Sequence, residues 1–197
     1  MMKAMLLLAT TVQADYLLTR TYLNETCDGN ILYQRSTAVN LCQHNSYQPG
    51  TYRLECKDQK CMLNSYQSAD CSGSAVTQKT MDASGQCTDV IGSYATFLVV
   101  SDANARQGFS TPLLTQWQDE DCNGTPVEYI DEGVCHSVGG NSYRNECLNG
   151  TINQCQYTKS TDCNSQYRSC VPAPGEKIGV CTPRGRLGGK ASIQYDC

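Results

Sequence analysis

Large apolar side chains are scarce in this chain: 197 residues hold two phenylalanines and one tryptophan. A fold of that length with so little Phe and Trp, its aromatics being mostly tyrosine, is short of purely apolar bulk and gains from covalent help. Histidine occurs twice, as His44 and His136. No cysteines stand in close C-x-x-C spacing, so zinc knuckles and thioredoxin-type redox motifs are excluded. G-x-S-x-G, H-E-x-x-H, P-loop and dinucleotide fingerprints are missing as well, which removes the enzyme classes that depend on them. The formal charge of -4 and the lack of a basic stripe argue against a nucleic-acid partner. After the first 14 residues no stretch approaches the ~20 apolar residues of a membrane span, and none sustains a 3.6-residue apolar period.

Cysteine is what the chain has instead. There are 14, about 7% of the residues, spread from Cys27 to the C-terminus. An even count at this density reads as a disulfide framework built in an oxidising compartment. The opening "MMKAMLLLATTVQA" has a lysine, a short apolar run and a small-residue end, so residues 1–14 read as a secretory signal or, if retained, as an apolar donor strand. Three N-x-[ST] sequons, at Asn24, Asn123 and Asn149, fit a glycoprotein of the secretory pathway.

The chain is also written twice. Cys27, Cys42, Cys56, Cys61, Cys71 and Cys87 are answered in order by Cys122, Cys135, Cys147, Cys155, Cys163 and Cys181, each 91 to 95 residues later. "SYQPGTYRLEC" is answered by "GGNSYRNEC". A tandem duplication is the natural reading. Within each half a smaller phrase recurs: "NETCDGN", "SADCSGS", "DEDCNGT" and "STDCNSQ". Each follows an aromatic, at Tyr22, Tyr66, Trp117 and Tyr157, and precedes a further cysteine. Asp, Asn, Ser and Gly in these phrases are turn residues. Their flanks, "YLLTRTYL", "TYRLEC" and "YATFLVV", suit half-buried strands. The sequence therefore predicts an all-β protein of two tandem disulfide-stapled β-sandwich-like domains, residues 15–104 and 105–197, joined near "SDANARQGFS". The repeated aromatics are expected in the core.

If each cysteine unit is self-contained, local pairs follow: Cys27–Cys42, Cys56–Cys61 and Cys71–Cys87, then Cys122–Cys135, Cys147–Cys155 and Cys163–Cys181. The two cysteines outside the repeat, Cys170 and Cys197, then join each other. Closing a 15-residue loop contributes about 3 kcal/mol in the chain-entropy model.

Few residues carry chemistry. His44 or His136 beside Tyr47 or Tyr143 is a conceivable base, but an exposed turn histidine is the simpler account. "DEDCNG", Asp119 to Gly124, lacks the EF-hand spacing and reads as a turn. Arg53 with Glu55 and Arg144 with Glu146 stand two apart on strands, share a face, and fit surface ion pairs. No catalytic residue, metal or cofactor is expected, and the chain reads as a non-enzyme.

The "Y-x(4)-D-C-[SN]-G … C" rhythm resembles uncharacterised secreted cysteine-rich β-repeat proteins of protists. More loosely, it is similar to protomers of glycosylated extracellular β-protein fibrils from freshwater material. That resemblance implies a secreted, extracellular structural role with copies of the chain itself as partners: a subunit of a fibril, surface hair or wall layer joined by strand-edge contacts. The apolar run Tyr94 to Val100, with Tyr94, Phe97, Leu98, Val99 and Val100, is the expected assembly strand. The alternative is an adhesin or lectin-like module that binds glycans through tyrosine-rich loops.

Overall fold

The computed structural model describes residues 15–44, 50–186 and 189–197. The signal-or-strand segment 1–14 lies outside these residues. The alternation of apolar and polar side chains becomes strand almost throughout, and the one helical element among the described residues is a 3-10 turn at Asp102–Asn104. The first half supplies β1 (Asp15–Tyr22), β2 (Ile31–Ala38), β3 (Cys42–His44), β4 (Thr51–Lys57), β5 (Lys60–Tyr66), β6 (Thr77–Asp82), β7 (Thr88–Val90) and β8 (Ser93–Ser101). The second supplies β9 (Leu113–Trp117), β10 (Glu128–Asp131), β11 (His136–Val138), β12 (Asn141–Leu148), β13 (Thr151–Tyr157), β14 (Arg168–Lys177), β15 (Thr182–Arg186) and β16 (Gly189–Asp196).

These strands form three antiparallel sheets. A central eight-stranded sheet runs β15-β16-β9-β10-β2-β1-β8-β7, and two four-stranded sheets run β3-β4-β5-β6 and β11-β12-β13-β14. Neighbour relations within β1–β8 are met again in β9–β16: β1 lies between β2 and β8, as β9 lies between β10 and β16. The halves meet inside the central sheet, where β10 pairs β2 with Glu128 opposite Thr37 and Ile130 opposite Arg35.

Strand register decides which side chains share a face. One row crosses the sheet through Val99, Leu17, Thr37, Glu128, Gln116 and Ile193. On this face Leu17, Phe97 and Val99 pack against Leu54, Cys61 and Met81 of the first small sheet. Leu114, Ile193 and Tyr195 pack against Ile152 of the second. Both small sheets therefore cover the same face of the central sheet. The opposite face carries Tyr16, Ala38 and Tyr129, and Ala105 of the linking segment packs onto them. Ser36 Oγ donates to the Ala105 carbonyl at 2.5 Å and the Ser110 amide donates to Asp131 at 2.8 Å. "SDANARQGFS" thus connects the halves and also roofs the back of their shared sheet.

All 14 cysteines are paired, in seven disulfides, but the local scheme holds only for Cys56–Cys61. The observed bridges are Cys27–Cys87, Cys42–Cys71, Cys122–Cys181, Cys135–Cys163, Cys147–Cys197 and Cys155–Cys170. Pairing follows the layers rather than the chain order. Cys27 and Cys87 flank central-sheet strands, whereas Cys42 and Cys71 belong to the small sheet between them in sequence. Cys56 and Cys61 stand opposite each other in the β4–β5 register, with Cα atoms 4.0 Å apart. Cys147 instead stands opposite Ile152, and Cys155 stands opposite Cys170. An eight-residue separation puts Cys147 and Cys155 on different faces of their hairpin, which requires the two extra cysteines as partners.

The four repeated phrases are one turn used four times. Cys27, Cys71, Cys122 and Cys163 all have positive φ, at 52°, 56°, 53° and 54° respectively. In the first three a glycine two residues on also has positive φ, at Gly29, Gly73 and Gly124. Side chains before the cysteine hold the turn: Asp70 accepts from the Ser72 amide, and Asp119 from those of Asp121 and Asn123. Tyr22, Trp117 and Tyr157 are buried, as expected of core aromatics, while Tyr66 is half-buried.

Candidate functional site

The residues singled out for chemistry take structural places. His44 closes β3 opposite Thr51, whereas exposed His136 opens β11 opposite Tyr143, so the two histidines are not equivalent. Tyr47 lies outside the described residues. Asp119 spends its carboxylate on the turn around Cys122. Arg53–Glu55 and Arg144–Glu146 are ion pairs at 3.8 and 2.8 Å, and Arg168 joins Glu146 at 2.8 Å. Glu146 also lies near Cys155 and Cys170. Those sulfurs are bonded to each other and are not available as thiolate ligands.

Asn24, Asn123 and Asn149 stand exposed on turns. The expected assembly strand is different. Tyr94 to Val100 lies within β8, paired along its length with β1 on one side. On the other side it meets β7 through Tyr94 and Ala95, and Ser84 through Leu98. Phe97 and Val99 pack in the core while Leu98 is exposed, and the run belongs to a strand with neighbours on both sides rather than to an outer edge strand. The sequence window alone reports burial of such a strand, but not what buries it.

Two features remain. The first is a cleft of about 670 Å³ between the first small sheet and the seam of the central sheet. Its floor comes from β2 and β10. Arg35 Nη1 lies 3.3 Å from Glu128 Oε1, to which Thr37 Oγ1 also donates at 3.4 Å. The Arg35 guanidinium sits 5.7 Å from the centre of the Tyr33 ring. Burial pushes the Tyr33 phenol above its usual range, and the nearby Arg35 charge opposes that shift. Tyr52 stands on the wall and donates its hydroxyl to Gln43 at 2.8 Å. Leu54, Leu63, Met81 and Phe97 make the apolar side. Sequence reasoning missed this cleft, because Glu128 reaches β2 only through the β2–β10 seam and Tyr52 only through the packing of the first small sheet on the central one.

The second feature is the pair of outer edges of the central sheet, β7 and β15. They hold equivalent positions: β7 precedes β8, which pairs β1, and β15 precedes β16, which pairs β9. Each follows directly on a bridged cysteine, Cys87 or Cys181. Ile91 beside β7 is fully exposed, and Val180 beside β15 is also exposed. No helix among the described residues is long and apolar enough to cross a membrane. No protein-family model, curated protein or solved structure matches the chain.

Proposed function

We propose that the chain is a secreted extracellular structural protein that polymerises through the ends of its central sheet. The carrying observation is the arrangement of β7 and β15: equivalent edges at opposite ends of one sheet, with different sequences. A β7-to-β15 contact between copies joins unlike surfaces, so it propagates as an open polymer unless its rotation closes a ring. Unpaired backbone groups of an edge strand supply the hydrogen bonds for such a joint.

Among the other edges, β14 carries Pro172 and Pro174 and β6 is largely polar, while β3 and β11 are as short as β7 but lie on separate small sheets rather than at opposite ends of one sheet. Pro183 removes one donor from β15, which restricts the register a neighbour can take. Seven disulfides fit service outside the cell. Glycans on the exposed Asn24, Asn123 and Asn149 would stand on turns at strand ends, outside β7 and β15 themselves.

Ile91→Asp and Val180→Asp test the reading, because both positions are exposed and the changes spare the fold. Each variant is expected to remain monomeric in sedimentation at concentrations where the parent forms filaments. Filaments of parental length from both variants exclude this joint. A parent that stays monomeric at high concentration yet binds a glycan array establishes the adhesin alternative instead.

A further inference from the structure

We infer that the cleft between the first small sheet and the β2–β10 seam is a binding site for a neutral saccharide. The layers around it are held differently in the two halves. In the second half Cys147–Cys197 ties small-sheet strand β12 to the end of central-sheet strand β16. Cys56, which matches Cys147 in the repeat, is bonded within its own hairpin to Cys61. Cys42–Cys71 stays inside the first small sheet and its loops, and Cys27–Cys87 stays with the central sheet. No disulfide therefore joins those two layers, which are held by packing and by hydrogen bonds such as that from Gln43 Nε2 to the Ala38 carbonyl at 3.0 Å.

The lining selects the ligand. Protein interiors close-pack, yet Leu63, Met81 and Phe97 border about 670 Å³ of open space, a volume within the usual range for small-ligand sites. Arg35 and Arg184 balance Glu128 and Glu132 in the lining, so a phosphate or sulfate has no excess positive charge to meet. Tyr33 and Tyr52 line the cleft together with Arg35, Glu128 and Gln116. A pyranose has the complementary surface: C–H groups that lie against an aromatic ring, and ringed hydroxyls that both donate and accept. The Arg35 guanidinium, its side chain 45% exposed beside Glu128, carries several N–H donors that such hydroxyl oxygens can accept. An aliphatic ligand would leave this ion pair covered and unrewarded, whereas a saccharide engages it.

The experiment uses the full secreted chain on an array of neutral, sialylated and sulfated oligosaccharides, with affinities of any hits measured by calorimetry. Binding to neutral glycans is expected. Met81→Trp, which fills the cleft from its apolar side, should abolish it. Tyr33→Ala and Tyr52→Ala should each weaken it at least tenfold, and Tyr33→Phe should keep most of the affinity. Circular dichroism and sedimentation of each variant separate lost binding from lost structure and from lost polymerisation. The inference is overturned if no neutral glycan binds at millimolar concentration, if only sulfated or sialylated glycans bind, or if folded Met81→Trp binds like the parent.

Discussion

Tyr16 has no exposed surface and donates its hydroxyl to the Pro126 carbonyl at 2.8 Å, tying the start of β1 to the second half. Burial, with Tyr129 next to it, raises its phenol far above the ordinary range, so it stays neutral wherever the protein folds. Tyr16→Phe should cost about 1 kcal/mol for the hydrogen bond, and Tyr16→Ala about 3–5 kcal/mol for the cavity. Denaturant unfolding measures both, and equal effects would contradict a packing role. Gly73 tests the repeated turn. Its φ is +82° and a Cβ there would meet nothing within 4 Å, so Gly73→Ala isolates backbone strain and should cost about 1 kcal/mol. The aspartates divide by surroundings. Hydrogen bonds from Ser72 hold Asp70 below its usual pKa, and those from Ser160 do the same for Asp162, while burial raises Asp131. A depressed folded-state pKa gives stability that is present above the unfolded value and lost as pH falls through the folded one. A raised carboxyl pKa has the opposite sign: stability falls as pH rises from the unfolded to the folded value. Carboxyl NMR titration should therefore place the Asp70 and Asp162 midpoints below that of Asp131, and the reverse order would refute these environments.

Strands and turns were legible because each is announced locally, by alternation in "YLLTRTYL" or by Cys, Asp and Gly in "ADCSG". Partners were not. Whether Cys147 meets Cys155 or Cys197 depends on a three-residue offset in the β12–β13 register, which spacing alone does not reveal. Tyr94 to Val100 shows the same limit: Phe97 and Val99 pack against the first small sheet while Leu98 is exposed, a division that the apolar run alone does not announce. The cleft is harder still, since Arg35 and Glu128 are neighbours only because two distant strands pair. At this scale the disulfides make a ranked prediction. Cys27–Cys87 spans 60 residues and Cys56–Cys61 spans five. Chain entropy gives about 4 kcal/mol for the long loop and about 2 kcal/mol for the short one. Replacing each pair by alanine in otherwise oxidised protein, and comparing unfolding free energies, should show the larger loss for Cys27 and Cys87. Equal losses would show that native-state strain or residual structure, rather than loop closure, sets their contributions.

For the whole molecule, one sheet runs from β15 to β7 through both halves, and its back is sealed by the linking segment. The small sheets lie together on its front, so the two ends are the surfaces left for a neighbour to extend the sheet. If copies join there, the strands run across the filament and the sheet runs along it. Eight strands per copy at about 4.8 Å spacing then give an axial repeat of about 38 Å. Electron cryomicroscopy of the purified protein at high concentration measures this repeat directly. The account predicts filaments with that repeat and continuous strand density across each joint between β7 and β15. Dispersed single copies, or filaments whose joints leave both of those edges exposed, would contradict it.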